Sequence, residues 1–248
     1  MLALEALNSE GMSGMVLNER LRHPWNVSRD VALVIQNDLR RHVVVENRLG
    51  SVKTVAGVDV GFPDPQTARA AVVVLSFPVL EPLDYAIAQV PVTFPYIPGL
   101  LSFREMPAVL VAMEKLQVWP DLLIFDAQGL AHPRRLGLAS HAGLLLDWPS
   151  IGCAKSRLTG KYVGPGQERG EWSPLMDGGK CIGGVLRTRA GVKPVFVSIG
   201  HKVDLETALR YVLDCAPRYR LPETTRYAHR VAGGEAINLG AKQQLRLF

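Results

Sequence analysis

The sequence predicts an α/β fold: one mixed sheet, part antiparallel meander and part parallel strands, flanked by helices. Three observations predict it. Strand-like segments follow one another with only short links between about residues 54 and 92. Helix-like and strand-like segments then alternate from about residue 107 to residue 215. No Pro/Gly/Ser-rich linker separates the two halves, so both are expected to share one sheet.

The elements follow in order. Residues 16–48 are expected to be helical, because Val31, Val34, Ile35, Leu39 and Val43 recur at helical spacing with Asp38, Arg40 and Arg41 between them. Residues 54–60, 70–75 and 85–92 are strands rich in Val and Ala, separated by turn residues at 61–65, Pro78 and Pro82. Residues 107–116 read as a helix with Pro107 in its first turn. Residues 122–126 are a strand, 133–146 a helix and 151–155 a short strand. Strands at 182–186 and 195–198 and a helix at 205–215 complete the pattern. The tail after about Arg230 is polar and Gly-rich and is expected to be loosely held.

Bulk properties narrow the class. A chain of 248 residues suits one large domain or two small ones, and 48% apolar residues argue against disorder. The net charge of +5 favours an anionic partner without proving one. No apolar run approaches the ~18 residues that span a bilayer, and the first residues lack a signal-peptide pattern. Cys153, Cys181 and Cys215 are widely spaced and form no CxxC pair. A reduced, cytoplasmic compartment without membrane contact is the simplest expectation.

Chemistry concentrates after the strand at 122–126. Asp126 closes the apolar run, Ala127-Gln128-Gly129 turns, and His132, Arg134 and Arg135 fall at the expected start of the next helix. A strand-end carboxylate is a common ligand for a hard cation, and a cationic helix start a common seat for a phosphate. Asp59 lies between Val58 and Val60; it either faces solvent or a salt bridge, or meets a cation that offsets its desolvation. Glu105 is expected to start the helix before the Asp126 strand, where it either suits the helix N-terminus or adds a third acidic group. Three carboxylates with waters suit Mg²⁺, and a pair of such ions suits phosphodiester hydrolysis.

Other residues carry two readings each. Pro95-Tyr96-Ile97-Pro98-Gly99 is a rigid loop whose Tyr96 either packs on the core or wedges into a base stack. His132 is a general acid, a phosphate contact or a structurally satisfied ring. Lys155 neutralises a phosphate, orients a water or is simply solvated. His141 lies on an apolar-rich helix and reads as structural, whereas His201 follows Gly200 in a turn and could line a site. The phosphate-binding G-x-x-x-x-G-K-[ST] loop is missing, as are G-x-S-x-G, H-E-x-x-H and G-x-G-x-x-G after a strand. ATPase, serine hydrolase, zincin and dinucleotide-enzyme readings therefore lack their usual support.

These segments resemble endonuclease V, a family of deoxyinosine-directed repair nucleases of bacteria. The resemblance is carried by residues 55–62 around Asp59, by 95–105 from the Pro-Tyr-Ile-Pro-Gly loop to Phe-Arg-Glu, by 126–135 ending in His-Pro-Arg-Arg, and by 151–155 ending in Lys155. Residues 174–177 and Tyr219-Arg220-Leu221-Pro222-Glu223 also look family-like. It implies a single ribonuclease H-like domain over residues 14–230, with terminal extensions at 1–13 and 231–248. It implies Mg²⁺, with Mn²⁺ as a substitute, held by Asp59 and Asp126 with Glu105 as the further acidic residue. His132 and Lys155 match positions that assist catalysis. Tyr96 matches the strand-separating wedge, supported by Pro95, Ile97 and Pro98.

Family members cut the second phosphodiester 3′ to a deaminated base, leaving a 3′-hydroxyl and a 5′-phosphate. They flip that base into a pocket, here matched by Gly99, Leu101, Ala127, Gly137 and Gly152. The expected partner is therefore DNA containing deoxyinosine, with inosine in RNA left open, and the expected state is a monomer. Where many members have Gly-His-Gly after the strand Asp, this chain has Ala127-Gln128-Gly129, which leaves the lesion range open.

Overall fold

The computed structural model describes residues 17–239. Its sheet begins with a meander. β1 (Thr54–Asp64), β2 (Thr67–Ser76) and β3 (Pro82–Pro91) pair antiparallel. β4 (Leu122–Phe125) and β5 (Ser150–Ala154) then lie parallel to β1 on its other side. β6 (Trp172–Asp177), β7 (Lys180–Leu186) and β8 (Val195–His201) return antiparallel. The order across all eight strands is β3-β2-β1-β4-β5-β8-β7-β6. This is the mixed sheet the sequence predicts. β6 was not anticipated because Pro174 interrupts its pattern; at a sheet edge a proline withholds no needed hydrogen bond.

Helices cover both faces. α2 (Leu101–Glu114) and α3 (Leu138–Leu146) pack on one, over Ala56, Val58, Leu123 and Phe125. α4 (Leu205–Asp214) and α5 (Glu223–Ala232) pack on the other, over Val55, Leu122 and Ile124. The alternation follows the two-residue period of a strand. Gly57 faces α5, and a Cβ there would lie 1.9 Å from the Thr224 carbonyl oxygen. The missing side chain lets α5 rest directly on β1.

Four expectations need correction. Within residues 17–48 the only α-helix is α1 (Arg29–Leu39), capped by Ser28; 19–21 and 40–42 are single 3-10 turns, and residue 16 lies outside the described residues. Pro24 and the β-branched run Val43-Val44-Val45 oppose a longer helix. α2 starts at Leu101, so Pro107 lies in its interior and Glu105 in its body rather than at its start. α3 starts at Leu138, so His132, Arg134 and Arg135 occupy an irregular turn and not a helix start. Pro133 disfavours helical geometry at His132, and Arg135 takes a positive φ of 59°. The tail is not loose at its beginning: α5 runs through Arg230 to Ala232, and Val231, Ala232 and Ile237 are buried in the core. Residues 240–248 lie outside the described residues.

Candidate active site

Parallel pairing of β1 with β4 places Val58 beside Phe125, so the next residues, Asp59 and Asp126, emerge as neighbours. The Asp126 backbone N–H donates to the Val58 carbonyl at 3.1 Å and fixes that register. Both side chains share the α5 face by the strand period. From α5, His229 Nδ1 meets Asp59 Oδ2 at 2.7 Å. One ligand atom from each of Asp59, Asp126 and His229 lies within 4.8 Å of the others, close enough to share one cation. Lys155, just past the end of β5, sets its Nζ 2.5 Å from Asp126 Oδ2. All four residues line an open cleft of about 660 Å³.

Burial controls protonation here. Desolvation raises the Asp59 pKa, with the His229 hydrogen bond opposing and the Asp126 charge adding to the rise. Glu105 is only 7% exposed on α2. Its pKa is pushed up to about 8, chiefly by burial and further by the Asp59 charge, with Arg104 opposing. Glu105 is thus electrostatically coupled to both aspartates, yet the tight trio is completed by His229 and not by Glu105. Two carboxylates, one imidazole and a third carboxylate nearby form a donor set that suits a hard or borderline divalent cation.

A second compartment adjoins the first. A cavity of about 230 Å³ is walled by the loop at 96–99, by Leu101, Ala127, Gln128 and Gly137, and by Ala154 and Ser156. Those last two residues also line the acidic cleft, and Asp126 and Ala127 line one space each, so these two stretches of backbone lie between them. Gly99, Leu101, Ala127 and Gly137 all line this cavity. Gly152 does not line the cavity but lies beneath it: a Cβ there would meet the Gly129 nitrogen at 2.5 Å and the Ala127 carbonyl at 2.7 Å. Gln128 donates from Nε2 to the Ser156 carbonyl at 2.9 Å and ties the two walls together.

The loop at 95–99 is held by its own hub. The Gly99 carbonyl accepts from Arg134 Nη2 at 2.6 Å, Gln36 Nε2 at 3.0 Å and His132 Nε2 at 3.0 Å. Gly99 adopts φ +80°, and a side chain there would run into Arg134. His132 Nδ1 accepts the Arg134 backbone N–H at 3.2 Å, so its neutral ring carries the proton on Nε2. Burial, followed by the Arg134 charge, lowers its pKa to about 4. Tyr96 stands 70% exposed at the tip, with no core packing to explain it.

His229, Gln36 and Ser156 escaped sequence reasoning. His229 had a signal: it sits on an amphipathic pattern in which Thr224, Ala228 and Val231 share the buried face. Gln36 had none, because a buried glutamine on a charged helix looks like surface. His141 is buried and structural, with Nδ1 2.9 Å from Ser102 Oγ. His201 is also buried; its Nδ1 accepts from the Val44 backbone, and it lines neither compartment.

A mixed sheet of this order, with carboxylates on adjacent central strands, defines a ribonuclease H-like protein. The endonuclease V family profile matches residues 37–230. The endonuclease V of Roseiflexus sp. (strain RS-1) is 55% identical over 216 residues, covering 87% of this chain and 97% of its own. The crystal structure of endonuclease V from Streptomyces avermitilis superposes with a TM-score of 0.81 at 42% identity, covering 92% of this chain and 98% of that one. The Ciona intestinalis endonuclease V, solved with a 24mer DNA containing an inosine followed by a ribo-adenosine, gives a TM-score of 0.71 at 25% identity. It covers 89% of this chain and 100% of that one. The chain belongs to the endonuclease V family and is a nuclease. Among the described residues, no helix is long and apolar enough to cross a membrane.

Proposed function

We propose that this chain is a DNA repair endonuclease that recognises deoxyinosine and hydrolyses the second phosphodiester on its 3′ side in a Mg²⁺-dependent reaction. The observation that carries it is the adjacency of two compartments: a cavity below the roughly 300–1,000 Å³ of drug-sized sites, fit for one base, and an acidic cleft beside it. Asp59, Asp126 and His229 would hold the cation, with Glu105 adding charge from α2; the imidazole makes Mn²⁺ an apt substitute. When bound, Mg²⁺ supplies positive charge to the phosphodiester oxygens.

The chain's own groups do the rest. Water adds to phosphorus, the P–O3′ bond breaks, and the 3′ oxygen takes a proton, which gives a 3′-hydroxyl and a 5′-phosphate. Lys155 holds its ammonium beside Asp126, at the edge where the phosphate would lie. His132, tied to the Gly99 carbonyl, is a positioning residue that shapes the base cavity. Tyr96, with Pro95, Ile97 and Pro98 stiffening its loop, wedges between bases. Gly99, Leu101, Ala127 and Gly137 surround the flipped base, and Gly152 lets the cavity floor lie flat. The protein acts as a cytoplasmic monomer over a single domain, whose core reaches past the expected boundary at 230 to Val231, Ala232 and Ile237.

A nicking assay on inosine-containing duplex tests the proposal. Cutting that needs Mg²⁺ and vanishes in Asp126→Ala supports it; full activity in Asp126→Ala, or no cutting by wild type, refutes it. The ribo-adenosine beside inosine in the Ciona complex favours a second reading, inosine in RNA. Competition between matched DNA and RNA strands decides between them.

A further inference from the structure

The segment Tyr219-Arg220-Leu221-Pro222-Glu223 has no part in the site above, yet it borders a separate cleft of about 280 Å³. α5 is the ridge between that cleft and the acidic one. His229, Ala232 and Gly233 line the acidic side, while Arg226, Tyr227 and Arg230 line the other. Arg218 and Tyr219 form the opposite wall.

The chemistry of this second cleft is specific. Three guanidiniums, from Arg218, Arg226 and Arg230, face a single lining carboxylate, Glu223. The Arg226 guanidinium lies 3.6 Å over the Tyr219 ring and only 3.4 Å from Glu223, so it is already oriented. Arg226 Nε, the atom that faces Glu223, is shielded from solvent and makes no hydrogen bond. Arg230 pairs with Glu235 at 2.7 Å, and Arg218 makes no ion pair among the described residues. Guanidiniums backed by aromatic rings suit phosphodiesters, where each phosphate accepts a forked pair of hydrogen bonds.

We propose that this cleft binds the phosphodiester backbone of the same nucleic acid whose scissile bond lies in the acidic cleft. It rests on the nuclease reading only for the identity of that strand. A helix is about 10–12 Å across, and duplex phosphates advance about 3.4 Å per residue along the axis, so the contact falls about three nucleotides from the cut. Arg220 ties the segment to the site: its Nη2 donates to the Lys155 carbonyl at 2.5 Å. The cleft wall is thus hydrogen-bonded to the Lys155 backbone.

The test uses the full chain, in EDTA, binding a duplex without any deaminated base, followed by fluorescence anisotropy across a salt series. Neutralising both arginines in Arg218→Gln/Arg226→Gln is expected to weaken binding about tenfold and make the slope of log K against log salt shallower by about two. Arg218→Gln alone, at an exposed position, is expected to change the slope by about one and keeps the test valid if the double variant misfolds. Arg218→Lys/Arg226→Lys should restore the slope. An unchanged slope in both the single and the double glutamine variant overturns the proposal. Because the probe holds no inosine, failure of deoxyinosine cleavage would count against the nuclease specificity and not against this cleft.

Discussion

Replacing Glu105 by Gln should leave a protein that cannot cut but is more stable without metal, by an amount that grows with pH. The reasoning starts from burial. The Glu105 carboxyl has an ordinary value of 4.5 and is raised to about 8 in the fold. Between those values the unfolded chain has lost the proton and the folded chain keeps it. Stability therefore falls as pH rises, by about 1.4 kcal/mol per pH unit for this one group. The whole window amounts to about 5 kcal/mol. Glutamine has the same shape and no proton to lose, so the variant escapes the decline. For a chain of this length 1 kcal/mol moves Tm by about 2–4 °C, so the gap should widen by about 3–6 °C per pH unit from pH 5 to 8. Melting curves in EDTA at each pH measure it. Added Mg²⁺ should then raise the wild-type Tm more than that of Glu105→Gln, because only the carboxylate can ionise to meet a cation. A Tm difference that stays constant across the pH range would refute the reasoning.

Three further outcomes follow from the geometry. Tyr96→Ala should change stability by less than about 0.5 kcal/mol, since the residue is 70% exposed, while weakening inosine-duplex binding by about 1–3 kcal/mol in a titration. Gly57→Ala should destabilise by about 3 kcal/mol or more in urea, because a Cβ cannot fit 1.9 Å from the Thr224 carbonyl oxygen. His132 titrates near pH 4 in the fold and at 6.5 when unfolded, so its contribution is complete above 6.5 and lost as pH falls toward 4. Protection factors over residues 95–101, taken relative to the intrinsic exchange rate at each pH, should fall below pH 5, and the pH–rate profile should show no His132 limb near neutrality.

The central strands were legible because each alternates or runs apolar with clear turn residues at its ends, and Asp59 and Asp126 stood out as charges against that background. Their adjacency was not legible, because parallel pairing of β1 with β4 is a long-range choice. The start of α2 was misread for a local reason: proline is common in a first turn, and here Pro107 occupies the interior. The turn carrying His132 reads as a helix from sequence because Pro133 and the two arginines mimic a helix start. α5 was hidden by its Thr-Thr pair and the Gly233-Gly234 that follows, and with it went His229, the imidazole closest to Asp59. The Gly99 hub was beyond reach, since Gln36, His132 and Arg134 come together only in three dimensions.

Ala154 and Ser156 face both the base-sized cavity and the acidic cleft, with Lys155 between them. On the proposed reading, one short stretch of backbone works as a ruler. It spans the gap between the nucleotide being inspected and the bond being broken, and its length is set by peptide geometry rather than by the sequence of the strand. The offset of the nick should thus be the same for every lesion the cavity admits, even where affinity differs widely. Only an insertion or deletion in that stretch would shift it.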